Sequence, residues 1–442
     1  MENRLGTNLS QKTKVALSII AIAVFLILVF IGDRTIPATS QWRMIITVIE
    51  KSSIYALVAA SMNLLNGFTG LFSLGQAGFM LMGAYAYAIF TIPTGQHDAV
   101  YQYFEGGVIK WSLVEILEGS LGVFGHYLGM FIPMIFAGLL VAGIAYLIGI
   151  PVLRLKSDYL AIATLGFAEI LRAIFQWNTL GPITNGSNVL RKYAVYSNAI
   201  FPVIIAGICI ALIILLINST YGRAFKAIRD DEIAAEAMGV NLFKHKELSF
   251  VISSFFAGIG GALLAMFQNT ISATPFTSNM TYEILLIVVI GGIGSITGSI
   301  IGAFLFIACS EWWLRGLDAG EWLGIKSALF APGFRKVVFA VIIMCVVLFY
   351  ARGIMGNREF SWDRFIDWFK TLPARTKAYP AKVKAKRLAK NEAKALKAAA
   401  KAQAEKDKID VGENVAGGMG LFTPLPVYDH VVIFEKTAKE VE

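Results

Sequence analysis

Long apolar runs alternate with short polar or glycine-rich segments along most of this chain. The apolar runs lie near 15–31, 44–65, 76–92, 127–150, 158–177, 199–217, 248–268, 283–295, 297–314 and 336–352. A helix that crosses the hydrocarbon core of a bilayer needs about 20 apolar residues, and several of these runs are shorter. The pattern therefore predicts an all-α polytopic membrane protein with about ten transmembrane helices, some of them broken by glycine or re-entrant.

Two glycine-rich breaks, at 66–78 and 291–299, separate neighbouring apolar runs. Backbone that is not helical at membrane depth must be buried in protein or line a watery cavity, and broken helices often form the translocation path of transporters. This indicates a solute path along the breaks, and close helix packing at the glycines is the alternative. The predicted path residues are Asn63, Gly70, Ser73, Gln76, Gly292, Gly294, Ser295 and Thr297.

A charged loop, 218–247, lies between two apolar runs and is rich in good helix formers. Between Tyr221 and Glu247 it carries five basic and five acidic residues. This composition predicts an ordered docking surface on the water side, and hence a membrane subunit that is driven by a soluble partner. The alternative is a loop that is merely solvated. The predicted coupling residues are Gly222, Arg223, Arg229, Asp230, Glu232, Ala235 and Gly239.

The distribution of charge predicts the division of the chain. Arg4, Lys12 and Lys14 precede the first apolar run and no small-residue cleavage site follows it, which indicates a retained first helix and a cytoplasmic N-terminus at 1–14. We expect a transmembrane domain at 15–355 and a cytoplasmic tail at 356–442, first amphipathic and then rich in Lys and Ala.

The basic excess belongs to the tail. Between Arg375 and Lys408 twelve basic residues face three acidic ones, so this stretch accounts for the formal net charge of +9. Attraction of the tail to anionic membrane lipid is expected, and a solvated helix without a partner is the alternative. A nucleic-acid partner is not expected.

Composition and motifs argue against an enzyme. The chain is 56% hydrophobic and 16% charged, whereas soluble domains are about a quarter charged. It has no phosphate-binding Gly-x-x-x-x-Gly-Lys-Ser/Thr loop, no His-Glu-x-x-His and no Gly-x-Ser-x-Gly. The four histidines form no ligand cluster, and Cys209, Cys309 and Cys345 are interpreted as small core residues. We predict no catalytic residue, no cofactor and no metal site.

A few charged residues lie inside the apolar runs. Glu50 and Lys51 are adjacent, and Glu283 opens a later run. Glu169 and Arg172 are three positions apart on one helix face and can form a pair. Intramembrane charges are candidates for function by default, although each of these can also neutralise a neighbour or reach an interface. Both interpretations remain open.

Four segments together carry a resemblance to a known family. They are Met62–Phe79, Leu153–Arg172, Gly222–Gly239 and Ile290–Ala303, the third being similar to the family's cytoplasmic coupling loop. The chain resembles permeases of branched-chain amino acid ABC transporters, and the second segment resembles the LivM-type subunit in particular. The resemblance covers about 44–355. The insertion at 97–126, the loop at 311–335 and the tail depart from it.

The resemblance implies one subunit of a larger importer in a bacterial plasma membrane, with both termini cytoplasmic. An extracytoplasmic substrate-binding protein would deliver leucine, isoleucine or valine. A second permease subunit would form a heterodimer with this chain, and two ATPase subunits would bind below. Related permeases for urea, short amides or other amino acids are an alternative within the class. An ion-coupled secondary transporter is the alternative of another class; it would need an unpaired acid on the path and no coupling loop.

Overall fold

The computed structural model describes residues 10–37, 40, 42–155 and 157–314 without further gaps. Beyond them it describes 321–322, 325–326, 334, 337–338, 340–341, 344, 348, 353–356, 359, 361–363 and 366. One compact unit comprises Leu9–Ser361, and the second comprises Met1–Asn8 and Trp362–Glu442. The second unit, which contains nearly all of the predicted amphipathic and Lys/Ala-rich tail, lies almost entirely outside the described residues.

Helices make up most of the described structure. In chain order they are α1 (Gln11–Thr35), α2 (Arg43–Asn63), α3 (Gln76–Thr91), α4 (His97–Val100), α5 (Leu113–Val152), α6 (Ser157–Gln176), α7 (Gly181–Thr184), α8 (Ile200–Asn218), α9 (Thr220–Asp230), α10 (Glu232–Ala237), α11 (Leu242–Gln268), α12 (Ser278–Gly291) and α13 (Ile296–Ile307). Single π-helical segments, Leu64–Thr69 and Ala308–Trp313, continue α2 and α13. Short antiparallel pairs join β1 (Leu190–Arg191) to β2 (Thr270–Ile271), and β3 (Glu321–Trp322) to β4 (Ile325–Lys326).

Seven helices of the described part are long and apolar enough to cross a membrane. They are Lys12–Thr35, Arg43–Thr69, Phe124–Val152, Tyr159–Gln176, Ile200–Asn218, Leu242–Gln268 and Ile296–Trp313. Helix α3 with the bent segment after it is an eighth candidate, and α12 is a shorter apolar helix. The prediction of an all-α polytopic membrane protein is confirmed. The described part does not fix the number of crossings at ten, and most of the run at 336–352 lies outside it.

The glycine-rich breaks limit the lengths of helices α3 and α12. Helix α3 begins at Gln76, after the first break, and α12 ends at Gly291, where the second break begins. Helix α5 has a different defect. Gly122 adopts a positive φ of +58°, which bends the helix sharply, so that the continuous span begins near Phe124.

Helices α2, α3 and α11 form the centre of the compact unit. Almost every residue of α3 is buried, and the large side chains of Tyr85, Tyr87 and Phe250 are fully enclosed. Helices α3 and α11 approach so closely that a Cβ on Gly83 would lie 2.1 Å from the carbonyl oxygen of Gly258. Small residues at such contacts let backbones pack together in a membrane, where association depends on contact area and not on water exclusion.

The connections between helices segregate to two ends of the bundle. At one end, the segments after α3, before α8 and after α11 are tied together: Tyr87 donates a hydrogen bond to the carbonyl of Ala194, and Asn185 donates one to that of Val100. At the opposite end, both glycine-rich breaks meet the α9–α10 segment. The fold therefore brings the predicted path residues and the predicted coupling loop to the same end.

Candidate functional site

The side chain of Asn63 joins the two glycine-rich breaks. It is fully buried at the end of α2. Its Nδ2 donates to the carbonyl of Ser295 at 2.9 Å and to the hydroxyl of Ser299 at 2.8 Å, and its Oδ1 accepts from the backbone N–H of Gly294 at 2.8 Å. One amide therefore binds three groups of the second break, and among them it satisfies the Gly294 N–H, which the interrupted helix leaves without a helical partner.

The breaks fit against each other because glycine occupies the points of contact. A Cβ on Gly67 would lie 2.5 Å from the backbone nitrogen of Gly294. Gly292 and Gly294 both have positive φ, +121° and +84°, a region that L side chains rarely adopt. A side chain at Gly67 would displace one break from the other, whereas a side chain at Gly292 or Gly294 would strain the backbone.

The second break is also held by residues 354–359, which lie near the C-terminal end of the compact unit in sequence. The carboxylate of Glu359 accepts hydrogen bonds from the backbone N–H groups of Ile296 and Thr297, at 2.7 and 3.1 Å, and from the Thr297 hydroxyl. Two further backbone bonds join Ile354 and Met355 to the carbonyls of Ile290 and Gly291. A carboxylate at a helix N-terminus is favourable because the first N–H groups of the helix point at it.

The start of α3 is anchored by hydroxyl groups of neighbouring helices. The N–H of Leu74 donates to Thr164 on α6 at 2.9 Å, and the N–H of Ala77 donates to Thr281 on α12 at 3.1 Å. The Gln76 amide donates to Ser61 on α2 at 2.7 Å. The donors at the first turn of α3 thus find partners without water, which lets a helix begin inside the bundle.

Arg229, at the end of α9, connects the charged loop to both breaks. Its Nη1 donates to the carbonyl of Gly67 at 3.1 Å, and a Cβ on Gly294 would lie 3.4 Å from the same nitrogen. A Cβ on Gly70 would lie 3.0 Å from the Arg229 Cγ. The guanidinium also pairs with Asp230 through Nε and Nη2. A displacement of α9 would therefore reach both breaks directly.

Helix α9 rests on the bundle through one face. Phe225 and Ile228 are buried, and Lys226 lies 5.7 Å from the centre of the Phe68 ring in the first break. Gly222 is buried where a Cβ would lie 2.0 Å from the carbonyl oxygen of Ile217, whereas Arg223 is exposed. These contacts seat α9 against the membrane helices at a fixed position.

Helix α10 presents apolar side chains to solvent. Asp231 caps its start by accepting from the N–H groups of Ile233 and Ala234. Ile233 is 82% exposed and Met238 is 85% exposed, whereas Ala235 is buried. Ile233 and Met238 are thus apolar side chains that a partner protein on this surface could cover.

Two further features fix the orientation of α10. Glu232 forms an ion pair with Lys246 of α11 at 2.6 Å. Gly239 ends the segment with a φ of +85° and has open space where a Cβ would be. Glycine is therefore required there by backbone conformation and not by crowding.

The predicted path residues divide into two groups. Asn63, Ser73, Gln76 and Ser295 are buried, and Gly292 and Gly294 are buried at the contact between the breaks; Gly70 is exposed and Thr297 is half-buried. The structure brings Asn63 together with Gly292, Gly294 and Ser295, and Glu359 with Thr297. Ser73 and Gln76 lie apart from that group, near Asn66 and Ser61.

Sequence reasoning missed several members of the site. Glu359 binds the second break, Thr164 and Thr281 hold α3, and Ile233 and Met238 are exposed apolar residues in and directly after α10. Ser299 accepts from Asn63 and is a polar residue of the predicted break, so composition could have indicated it. Ile233 and Met238 could also have been found, because they are apolar residues inside a charged loop. Glu359, Thr164 and Thr281 carry no local signal, since each acts on a segment far away along the chain.

Comparison of the sequence with known proteins identifies related permeases. The family model described as "Branched-chain amino acid transport system / permease component" matches residues 44–347. The high-affinity branched-chain amino acid transport system permease protein LivM of Escherichia coli is 31% identical over 292 residues, which are 58% of this chain and 61% of that protein. The probable LivM of Methanocaldococcus jannaschii is 25% identical over 317 residues, 67% and 88% of the two chains.

The high-affinity branched-chain amino acid transport system permease protein LivH of Salmonella typhimurium is 31% identical to this chain over 151 residues. These residues are 34% of this chain and 44% of that protein. The match spans less than two thirds of the Escherichia coli LivM. No solved structure matches the chain. Because the family model covers the helical bundle and both glycine-rich breaks, this chain belongs to the family of branched-chain amino acid transport permease components.

Proposed function

We propose that this chain is a transmembrane permease subunit of an ATP-driven importer for leucine, isoleucine and valine. It would pass solute from an extracytoplasmic binding protein to the cytoplasm, while separate subunits hydrolyse ATP. The observation that carries the proposal is the position of Arg229. It links a surface suited to a soluble partner with both breaks of the membrane helices.

The names of the relatives support the solute class. The LivM and LivH proteins that the chain resembles are all described as branched-chain amino acid permeases, which favours these solutes over urea or short amides. An ion-coupled carrier would have no use for α10, whose exposed apolar residues have no role without a partner. We therefore propose that the solute is a branched-chain amino acid and that ATP is hydrolysed on another subunit.

The assembly that we propose has several parts. Two ATPase subunits dock on α9 and α10, a second permease subunit completes the membrane part, and a binding protein docks at the opposite end. This orientation places the charged loop and both termini in the cytoplasm of a bacterial plasma membrane. The charges of α9 and α10 suit the aqueous side, and the tail beyond Ser361 would be an accessory that is attracted to anionic lipid.

We further propose that the solute path runs beside the two breaks and opens when they separate. Ser73 and Ser295 are buried in the single subunit, so a cysteine at either position is expected to react with a water-soluble thiol reagent only when nucleotide and ATPase separate the breaks. Backbone groups freed at that point could meet the charged ends of an amino acid. Absence of labelling under every nucleotide condition in an active transporter would remove both residues from the path.

The proposed function is tested with radiolabelled leucine. The full chain is reconstituted in proteoliposomes with a LivH-type permease, the two ATPases and the binding protein. We expect ATP-dependent uptake that excess isoleucine and valine abolish and that urea leaves unchanged. Uptake that continues without the ATPase subunits, or competition by urea alone, would contradict the proposal.

A further inference from the structure

The outer helices of the bundle differ in their charge. The spans of α1, α5 and α8 contain no Asp, Glu, Lys or Arg between 15 and 32, 124 and 152, or 200 and 218. Helices α6, α12 and the π-helical continuation of α13 each carry charge, as Glu169 with Arg172, Glu283 and Glu311. The central helices α2 and α11 also carry charge, as Glu50 with Lys51 and Glu247, so the contrast between charged and uncharged spans applies to the outer helices alone.

Helix α6 holds its charged pair within the membrane region. Exposed aromatic residues, Tyr159 and Trp177, mark its two ends, as is typical where a helix meets the membrane surfaces. With a rise of 1.5 Å per residue, Glu169 lies about 10 Å from the Gln176 end and about 18 Å from the Ser157 end. A glutamate side chain is too short to reach water across that distance by itself.

The charged pair faces outwards. Arg172 contacts the Oε2 of Glu169 through Nε and Nη2, both at 2.7 Å, and the two side chains are 29% and 36% exposed. Only 11% of the α6 span is buried in the subunit. Exposing such a pair to hydrocarbon is unfavourable, because lipid tails supply neither hydrogen bonds nor counter-charge.

Helix α12 continues the same face. The backbone N–H of Ser278 donates to the Oε1 of Glu169 at 3.3 Å, which fixes the start of α12 at the level of the charged pair. One turn further on, Tyr282 and Glu283 are exposed. The α6–α12 face, which we define by Ile162, Gly166, Glu169, Ile170, Tyr282 and Glu283, therefore exposes two carboxylate side chains among apolar residues at membrane depth in the described part of the subunit.

Helix α1 provides the contrast. Only 6% of its span is buried, so it is as open as α6, but its exposed side chains are large and aliphatic. Such a surface suits lipid tails, whereas the α6–α12 face requires cover by protein or water. We infer that the α6–α12 face meets the second permease subunit and that α1 faces lipid. This inference rests on the proposed function, which supplies the second subunit as the occupant.

Photo-crosslinking tests the assignment. A benzophenone amino acid replaces Ile162 or Ile170 on α6, and Ile19 or Leu28 on α1 as matched controls of similar exposure. The full chain is expressed with a LivH-type permease and the ATPases. We expect adducts with the second permease from both α6 positions and none from α1. Adducts from α1 alone, or adducts joining two copies of this chain through α6, would overturn the inference.

A bulky residue at Gly166 supplies an independent measurement. Among the described residues, no atom lies within 4 Å of a Cβ placed on Gly166, and the same is true of Gly143 on the uncharged helix α5. We expect Gly166→Phe to lower co-purification of the second permease about tenfold, as overpacking of an interface does, and Gly143→Phe to leave it unchanged. Equal recovery of the second subunit with both variants would contradict the inference.

The two measurements separate this inference from the proposed function. If the unmodified chain does not co-purify with the second permease and the ATPases, the proposed function itself fails. If the complex forms but the crosslinks and the Gly166→Phe effect are absent, the complex stands and the assignment of its face is wrong.

Discussion

Single residues join parts of the chain that are distant in sequence. Asn63 bonds to Ser299, 236 positions away, and Arg229 bonds to Gly67, 162 positions away. Each is a polar side chain that satisfies backbone groups which no helix satisfies. Because such groups cost free energy when buried and unpaired, these residues hold the breaks in one arrangement.

Replacement of the Asn63 side chain should weaken the contact between the two breaks. Asn63→Leu removes the donor and the acceptor together and leaves the backbone N–H of Gly294 without its partner, at a cost of about 1–3 kcal/mol. We expect a lower melting temperature of the detergent-solubilised protein and loss of leucine uptake. Asn279→Leu, at an exposed position on α12, is the control. An unchanged melting temperature in Asn63→Leu would show that the amide does not hold the breaks.

Among the secondary-structure elements, the apolar pattern predicted the long helices. It did not predict where a helix begins or bends because of a single residue. Helices α8 and α11 coincide with continuous apolar runs. The predicted apolar run begins near 127, whereas helix α5 begins at Leu113, inside the insertion at 97–126, and bends at Gly122. A bend at one glycine inside a helical sequence leaves no mark in hydropathy, since hydropathy does not record φ.

The segments that form the site could be recognised from the sequence, whereas the contacts between these segments could not. The glycine-rich breaks and the charged loop were recognisable, because their composition differs from that of the helices beside them. That the breaks touch each other through Asn63, and that Arg229 reaches both, depends on how α2, α9 and α13 pack. Contacts between segments 160 or more residues apart follow from the whole fold, so local pattern could not supply them.

Removal of the exposed apolar side chains in and directly after α10 should weaken binding of the ATPase subunits. Ile233→Ser with Met238→Ser removes the exposed apolar pair without touching the buried Ala235, so the fold should be unaffected. We expect weaker binding of the ATPase subunits, by about thirtyfold if each of the two side chains contributes about 1 kcal/mol. The measurement is co-purification at graded salt concentration.

The control for α10 is at the other end of the bundle. Val108 is 68% exposed in the segment after α4, on the side where no ATPase is expected. Val108→Ser should leave the ATPases bound. If Val108→Ser and the α10 double variant release the ATPases equally, α10 is not the docking surface.

At the scale of the whole molecule, the transmembrane unit extends to Ser361. The carboxylate of Glu359 caps α13, and residues 353–356 pack against the second break. The end of the unit therefore takes part in holding the segment that we propose lies beside the solute path.

Two truncations test where the functional unit ends. Truncation after Ser361 keeps Glu359 and should preserve uptake. Truncation after Met355 removes the cap of α13, worth about 0.5–2 kcal/mol, and should lower the melting temperature and the yield of folded protein. Glu359→Gln, which keeps an acceptor but loses the charge, should fall between them. Identical behaviour of the two truncations would show that Glu359 is dispensable.

We propose that α9 transmits ATPase movement to the breaks through Arg229. This is tested by the number of leucine molecules transported per ATP hydrolysed in proteoliposomes, for the unmodified complex, for Arg229→Gln and for the control Arg154→Gln, an exposed arginine outside the charged loop. We predict that Arg229→Gln keeps ATP hydrolysis and subunit binding while transport per ATP falls by about tenfold or more, and that Arg154→Gln retains the original ratio. An unchanged ratio in Arg229→Gln would show that Arg229 does not couple the ATPase subunits to the breaks.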